Sequence, residues 1–313
     1  MKYRRLGDSE IDVSEICLGS WLTYGGAVEA TQAEACIDAA FDAGINFIDT
    51  ANVYSGGRAE EFLGEVLKSR PRDSFVLATK VMGEMPNGDR GLSRAQILKQ
   101  IDASLGRLQT SYIDLYQCHA YDHDVPTEET LEAMTEVVRA GKARVIGVSN
   151  WNGKQIRGAV RLARERGFAK IVSSQPEYSL LHRNPERGVF PASRANGVSQ
   201  IVWSPLAQGV LTGKYRPGES YADGTRAFTR GDGFMSRYLT DDVLERVQRL
   251  RPVAGGLGIT IGQLALAWVL HEPNVASVIV GASRPEHVVE NAGASGIALD
   301  AAAVAAIEEA LAA

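Results

Sequence analysis

Ile45-Asn46-Phe47-Ile48-Asp49-Thr50-Ala51-Asn52-Val53-Tyr54 sets an acid at the end of a short apolar run and a phenol just beyond it. The arrangement recurs downstream: Phe75-Val76-Leu77-Ala78 leads to Lys80, and Tyr112-Ile113-Asp114-Leu115-Tyr116 leads to His119. Runs without polar alternation suit strands buried on both faces. In a parallel α/β barrel the carboxyl ends of the strands gather around one pocket. An acid, a phenol, an amine and an imidazole delivered there point to chemistry.

Outward from these runs, strand-like and helix-like segments alternate from about residue 15 to the end, the pattern of βα units. The strand candidates are Glu15-Trp21, Asn46-Thr50, Phe75-Lys80, Tyr112-His119, Ala143-Asn150, Ile171-Pro176, Gln200-Pro205 and Ala276-Gly281. Eight such strands predict an α/β chain folded as one (β/α)8 TIM barrel domain over residues 1–313. A hairpin around Gly7-Asp8 precedes the barrel. An insertion of about 70 residues separates the last two strands; its first part, Thr212 to Thr240, is polar and glycine-rich, and its second part is two helices near 241–251 and 260–271. A loop that long is usually functional or mobile.

Helix signals fill the gaps. Thr31-Gln32-Ala33-Glu34, Thr260-Ile261-Gly262-Gln263 and Ser283-Arg284-Pro285-Glu286 have capping-box spacing, Ser93 opens a third amphipathic helix, and Gly44 and Gly141 act as stops.

Composition is that of a globular protein, with 45% hydrophobic and 23% charged residues, and the formal net charge of -5 argues against a general affinity for nucleic acid or acidic membranes. Cys17, Cys36 and Cys118 form no CxxC and leave an odd thiol, so a reducing cytoplasmic setting is the default. Met1-Lys2-Tyr3-Arg4-Arg5 is followed by no apolar h-region, and no run approaches the ~18 apolar residues of a membrane span. No metal site is expected.

Taken singly, each reactive residue has a plain alternative. Asp49 reads equally well as a turn or cap residue, Lys80 as a solvated charge, Tyr54 as loop packing and His119 as a satisfied core histidine. Together they suit proton transfer to a carbonyl oxygen. A phenol, with a pKa of about 10, is a poor acid at neutral pH and needs neighbours that stabilise phenolate. Lys80 supplies positive charge, lowering the expected pKa of Tyr54; Asp49 keeps that ammonium charged, and His119 holds the substrate oxygen or relays the proton.

Several segments in order resemble the aldo-keto reductase superfamily: Leu18-Gly19-Ser20-Trp21, Phe47 to Tyr54, Ala78-Thr79-Lys80, Ile113 to His119, Ile146-Gly147-Val148-Ser149-Asn150, Gln175-Pro176-Glu177-Tyr178, Trp203 to Tyr215, and Val280-Gly281-Ala282-Ser283-Arg284 with Glu290-Asn291. Tyr3-Arg4-Arg5-Leu6-Gly7 and Gly91-Leu92-Ser93-Arg94 make the resemblance closest to the branch holding bacterial reductases and potassium-channel β-subunits. It implies a barrel that reduces aldehydes or ketones with NADP(H), NADPH preferred over NADH, without a Rossmann fold; no G-x-G-x-x-G lies between an early strand and helix. By the family pattern Tyr54 is the proton donor, Lys80 and Asp49 tune it, and His119 orients the carbonyl. Gly19, Ser20, Trp21 and Asp49 would touch the cofactor, Ser149, Asn150 and Gln175 would hold its carboxamide, and Trp203 would stack on nicotinamide unless it is a core residue. Ser204, Pro205, Leu206, Gln208, Gly209, Leu211 and Lys214 would line the pyrophosphate. Ser283 and Arg284 would grip a 2′-phosphate, with Glu290 and Asn291 at adenine. Some relatives place a lysine and an arginine where this chain has Gly281 and His287, which leaves Arg284 as the main phosphate ligand. The channel β-subunits carry an asparagine in place of His119, so the enzymatic pattern fits better. The substrate pocket would include Trp21, Tyr54, Met82, His119 and Trp151 and favour an apolar or aromatic carbonyl compound. Two rivals stand beside this reading: a redox-sensing NADP(H)-binding regulatory module with slow turnover, and a barrel enzyme taking a phosphorylated substrate after strands seven and eight.

Overall fold

The computed structural model describes residues 1–21, 24–26, 28–221, 227 and 235–312. Strands β1 (Tyr3–Arg5) and β2 (Asp12–Ser14) form the expected antiparallel hairpin, with Tyr3 opposite Ser14 and Arg5 opposite Asp12. Eight parallel strands then close into a barrel: β3 (Ile16–Gly19), β4 (Phe47–Asp49), β5 (Val76–Val81), β6 (Ile113–Cys118), β7 (Ala143–Ser149), β8 (Ile171–Gln175), β9 (Ser199–Val202) and β10 (Val275–Val280), with β10 pairing back to β3. Around it pack α1 (Ala30–Asp42), α2 (Arg58–Leu67), α3 (Arg94–Arg107), α4 (Thr127–Arg139), α5 (Gly153–Arg166), α6 (Val189–Arg194), α7 (Asp241–Gly256), α8 (Ile261–His271), α9 (Pro285–Ala292) and α10 (Ala301–Ala312).

Alternation along the strands divides the core. Ile48, Leu77 and Tyr116 join the layer between strands and helices, while Phe47, Val76, Ala78 and Leu115 fill the barrel. Leu6, Ile11 and Val13 of the hairpin belong to that inner cluster, so the hairpin plugs the amino-terminal mouth. Gly7 makes the plug possible: its φ is +52°, and a Cβ there would stand 2.1 Å from the Val172 carbonyl oxygen. With the base shut, the opposite mouth is where polar side chains can meet solvent.

Three helix expectations need correction. Helix α1 starts ahead of Thr31, because Ala30, the best helix former, already lies in its first turn and Ala33 N–H donates to Glu29 O; Glu29 is the cap, and the Thr31 box does not form. At α9, Pro285 takes the first helical position and holds Arg284 extended as the cap, which leaves Ser283 one residue outside. Helix α7 runs on to Gly256 with Pro252 inside, where Leu244, Val247, Leu250 and Ala254 continue one buried stripe across the lost backbone bond. The boxes at Thr260 and the cap at Ser93 form as read, and Asn152 with Gln155 adds another box. Within the insertion, 222–226 and 228–234 lie outside the described residues. Its two ends are tied down: Gln248 Nε2 donates to Gly213 O and Tyr215 O, and Arg237 and Tyr238 both donate to Glu177 Oε1. Among the described residues no single helix is long and apolar enough to cross a membrane.

Candidate active site

Asp49 follows Phe47 on the inner face of β4, and Lys80 follows Val76 and Ala78 on that of β5. The chain therefore delivers an acid and an amine into the open end of the barrel. Lys80 is 0% exposed, which removes the solvated-charge reading, and Asp49 is 2% exposed. The ammonium uses all three of its N–H groups: on Asp49 Oδ1, on Thr50 O at 2.8 Å and on Tyr54 Oη at 3.1 Å. An ammonium has no lone pair. The Tyr54 oxygen must accept from it, and the phenolic proton is left free to point elsewhere. Tyr54 itself opens a tight turn (Tyr54–Gly57) in which Ser55 and Gly56 have φ of 51° and 67°.

The second oxygen of Asp49 accepts from Gln175 Nε2 at 3.0 Å and from Gln117 Nε2 at 3.3 Å. Gln117 escaped the reading of the sequence. Its signal was there, since it stands two residues before His119 and shares the inward face of Leu115 on β6.

Burial pushes the Tyr54 phenol above its ordinary value; Lys80 pulls it down and Asp49 pushes it up, and the net direction is upward. The expectation of a lowered tyrosine pKa is thus reversed: loss of water around the phenolate outweighs the ammonium. Burial pulls Lys80 down, but Asp49 and then Tyr54 raise it further, so it stays charged. His119 lies edge-on to Tyr54, with ring centroids 5.6 Å apart, and burial with the nearby Lys80 charge brings its pKa down to about 3. It is a neutral imidazole across the physiological range.

That depression carries a stability consequence. Between pH 6.5 and about 3 the unfolded chain takes up a proton that folded His119 refuses, so stability falls as pH falls, by up to about 1.4 kcal/mol per pH unit. His119→Asn should flatten this part of the melting-temperature profile. An unchanged slope would mean that other groups carry it.

Other sequence-selected residues fall around the same mouth. Ser149 Oγ donates to Gln175 O at 2.9 Å. Asn150, at φ 58°, donates to His119 O at 3.2 Å and accepts from Trp203 Nε1 at 3.1 Å. Trp203 is half-buried, which excludes the core-tryptophan reading. Beyond it the backbone turns left-handed at Ser204 (54°), Ala207 (45°), Gln208 (60°) and Gly209 (95°); Gln208 Nε2 donates to Ser204 Oγ, Pro205 and Leu211 are buried, and Leu206 is half-buried. A Cβ on Gly209 would lie 3.5 Å from Lys214 Nζ. Arg284, exposed, comes within 3.4 Å of His287 Nε2, and burial with the charges of Arg284 and Lys214 lowers the His287 pKa. Gly281, Ser283 and Glu290 are exposed and Asn291 is buried.

Some residues have structural employment. Ser20 is buried with its hydroxyl on Thr50 Oγ1 at 2.8 Å, and a Cβ on Gly19 would stand 2.5 Å from Ile279 Cγ2. Trp21 is exposed, whereas Trp151 is 2% exposed and packs edge-on against Tyr121 at 4.8 Å. A cavity of about 330 Å³ is lined by Met82, Arg90, Tyr121, Asp122 and His123 among others. Met82 is the one residue of the expected substrate pocket that reaches it.

Comparison with known proteins completes the picture. Residues 15–312 match the model of the aldo/keto reductase family. Among similar proteins are one from Oryza sativa subsp. japonica and one from Arabidopsis thaliana, each named a probable voltage-gated potassium channel subunit beta and each 40% identical over 296 residues, covering 93% of this chain and 90% of the relative. A putative voltage-gated potassium channel subunit beta from Schizosaccharomyces pombe is 37% identical over 300 residues, covering 92% and 86%.

Proposed function

This chain belongs to the aldo/keto reductase family, and from that premise we propose that it reduces an aldehyde or ketone to an alcohol, with NADPH as the favoured reductant. One observation carries the reading: Tyr54 Oη accepts from a fully buried ammonium and keeps its own proton for another acceptor at the open mouth of the barrel.

The residues present suit such a dinucleotide. Trp203 is a half-buried ring fixed by Asn150, Gln175 retains a carbonyl oxygen after its nitrogen is engaged, and the left-handed residues Ala207, Gln208 and Gly209 can turn successive amides toward an anion. Arg284 and Lys214 bring positive charge for a 2′-phosphate, and His287 between them, its pKa lowered by burial and those two charges, offers a neutral ring N–H. When bound, the cofactor supplies the hydride that reaches the carbonyl carbon. Tyr54 gives its proton to the carbonyl oxygen, and the phenolate left behind faces the Lys80 N–H that the phenol already accepted. That hydrogen bond becomes charge-assisted as the reaction proceeds, so it strengthens where stabilisation is needed. Neutral His119 beside Tyr54 orients the carbonyl through a ring nitrogen and cannot compete as a cationic acid. Because burial raises the Tyr54 pKa, the alkaline decline of reduction should begin above the phenol's ordinary value; alcohol oxidation, which needs phenolate, should rise over the same range.

The names of the relatives favour a second reading, a subunit that partners a potassium channel; such a regulatory module would hold NADP(H) and turn over slowly. His119, a neutral imidazole set edge-on against Tyr54 where it can face the same carbonyl oxygen, argues for catalysis. Steady-state NADPH oxidation over a panel of carbonyl compounds separates the two. The reductase reading expects rates that follow carbonyl identity; flat, slow rates across the panel would favour the regulatory subunit. In the same assay Arg284→Ala should weaken NADPH by about 1.5–3 kcal/mol and NADH hardly at all, since a charged contact is lost only with the phosphate. Equal losses would make Arg284 a purely structural cap.

A further inference from the structure

Gln117 is wholly buried on β6, opposite Lys80 in the strand register. Its amide is engaged at both ends. Nε2 donates to Asp49 Oδ2 at 3.3 Å, and Oε1 accepts from Gln175 Nε2, also at 3.3 Å. Gln175 Nε2 makes a second donation to Asp49 Oδ2 at 3.0 Å, so both of its N–H groups are committed. Asp49, paired with the Lys80 ammonium, is a carboxylate and accepts only. Neither glutamine can then turn its oxygen toward it without facing a like partial charge. What remains to Gln175 is a carbonyl oxygen, an acceptor with no competing donor.

Resting on the reading of this chain as an NADPH-dependent carbonyl reductase, we propose that Gln117 is a positioning residue that locks the Gln175 amide, so that the cofactor's carboxamide is recognised through its NH2 group, and that ties this recognition to the Asp49 carboxylate. Three hydrogen bonds among Asp49, Gln117 and Gln175 make one closed triangle, and the triangle shares Asp49 with Lys80 and Tyr54. A cofactor with the right ring substituent is read by the same group of side chains that holds the acid.

The test uses the full chain with Gln117→Met and Gln117→Leu, apolar replacements of similar size, titrated by fluorescence with NADPH and with its 3-acetylpyridine analogue, whose acetyl group keeps the carbonyl oxygen and lacks the NH2. NADPH should weaken about fivefold, the loss of one hydrogen bond's orienting effect, while the analogue, which never used that acceptor, should change little. The wild type's discrimination between the two should shrink accordingly. A second readout is the alkaline limit of carbonyl reduction. Removing an amide donor from Asp49 leaves more of its negative charge acting on Tyr54, so the limit should move to higher pH. Equal weakening of both dinucleotides, unchanged discrimination, or the failure of both variants to melt cooperatively would overturn the proposal and leave Gln117 a packing residue. A wild type that binds neither dinucleotide would overturn the reductase reading and this inference with it; binding of both with unaltered discrimination in the variants overturns the inference alone.

Discussion

Tyr54→Phe is expected to abolish most carbonyl reduction, by about 10²–10⁴-fold, the usual worth of a positioned general acid. The ring stays, and with it the edge-on contact to His119. What goes is one oxygen, and with it both the transferable proton and the acceptor for the third Lys80 N–H. Cofactor binding should remain close to that of the wild type, because the residues proposed to hold the dinucleotide lie at or just beyond the carboxyl ends of β7 to β9 and at the start of α9. Steady-state kcat together with a fluorescence titration checks both halves. A variant that keeps most of its kcat would remove Tyr54 from the mechanism; one that loses NADPH binding as well would make Tyr54 a structural support of the pocket.

Lys80→Met should damage both the fold and the chemistry. Asp49 would be left 2% exposed with no cation beside it, and breaking a buried pair on one side typically costs about 3–5 kcal/mol. The two glutamine amides soften that loss without replacing the charge. Tyr54 would also lose the neighbour that pulls its pKa down while keeping the burial that pushes it up. Hydride transfer should slow in a single-turnover measurement of NADPH absorbance, since the phenolate formed has no ammonium to face. A second substitution separates the effects: Lys80→Met with Asp49→Asn removes the orphaned charge, so thermal stability should largely return while the chemical step stays slow. Equal stability losses in the single and double variants would show that the pair contributes packing alone.

The barrel was readable because its strands are uninterrupted apolar runs, and a run such as Val76-Leu77-Ala78 can be buried on both faces only inside layers. The strand ends then located Asp49, Lys80 and His119 without further information. Helix starts were harder. Thr31 and Ser283 have the right neighbours for a capping box, yet Ala30 in one case and Pro285 in the other moved the cap, back to Glu29 and on to Arg284. Local chemistry at a cap is a contest between adjacent residues, and spacing alone does not decide it. Gln117 was hidden for a different reason. In a strand buried on both faces a lone polar residue looks like an interruption of the apolar run, and its partners, Asp49 and Gln175, are 68 and 58 residues away. The sign of the Tyr54 shift was illegible for a related cause: Lys80 and Asp49 could be named from sequence, but the degree of burial that outweighs Lys80 appears only once the barrel is closed.

The hairpin that plugs the barrel also ties distant parts of the chain together. Lys2 N–H donates to Ser295 Oγ, 293 residues on, and the Arg4 guanidinium donates to the carbonyls of Val275 and Leu270, 271 and 266 residues on. On the ribosome the hairpin is made well before these distant partners. The apolar side of Leu6, Ile11 and Val13 therefore waits for Val172, Ile201 and Ala276 until the later strands emerge, and the barrel's floor is sealed last. Such remote closure contacts repay their loop entropy only at the end of folding and slow the approach to the native state. A nascent chain of this design has its longest exposure at the hairpin, which is where a holding chaperone would have the most to cover.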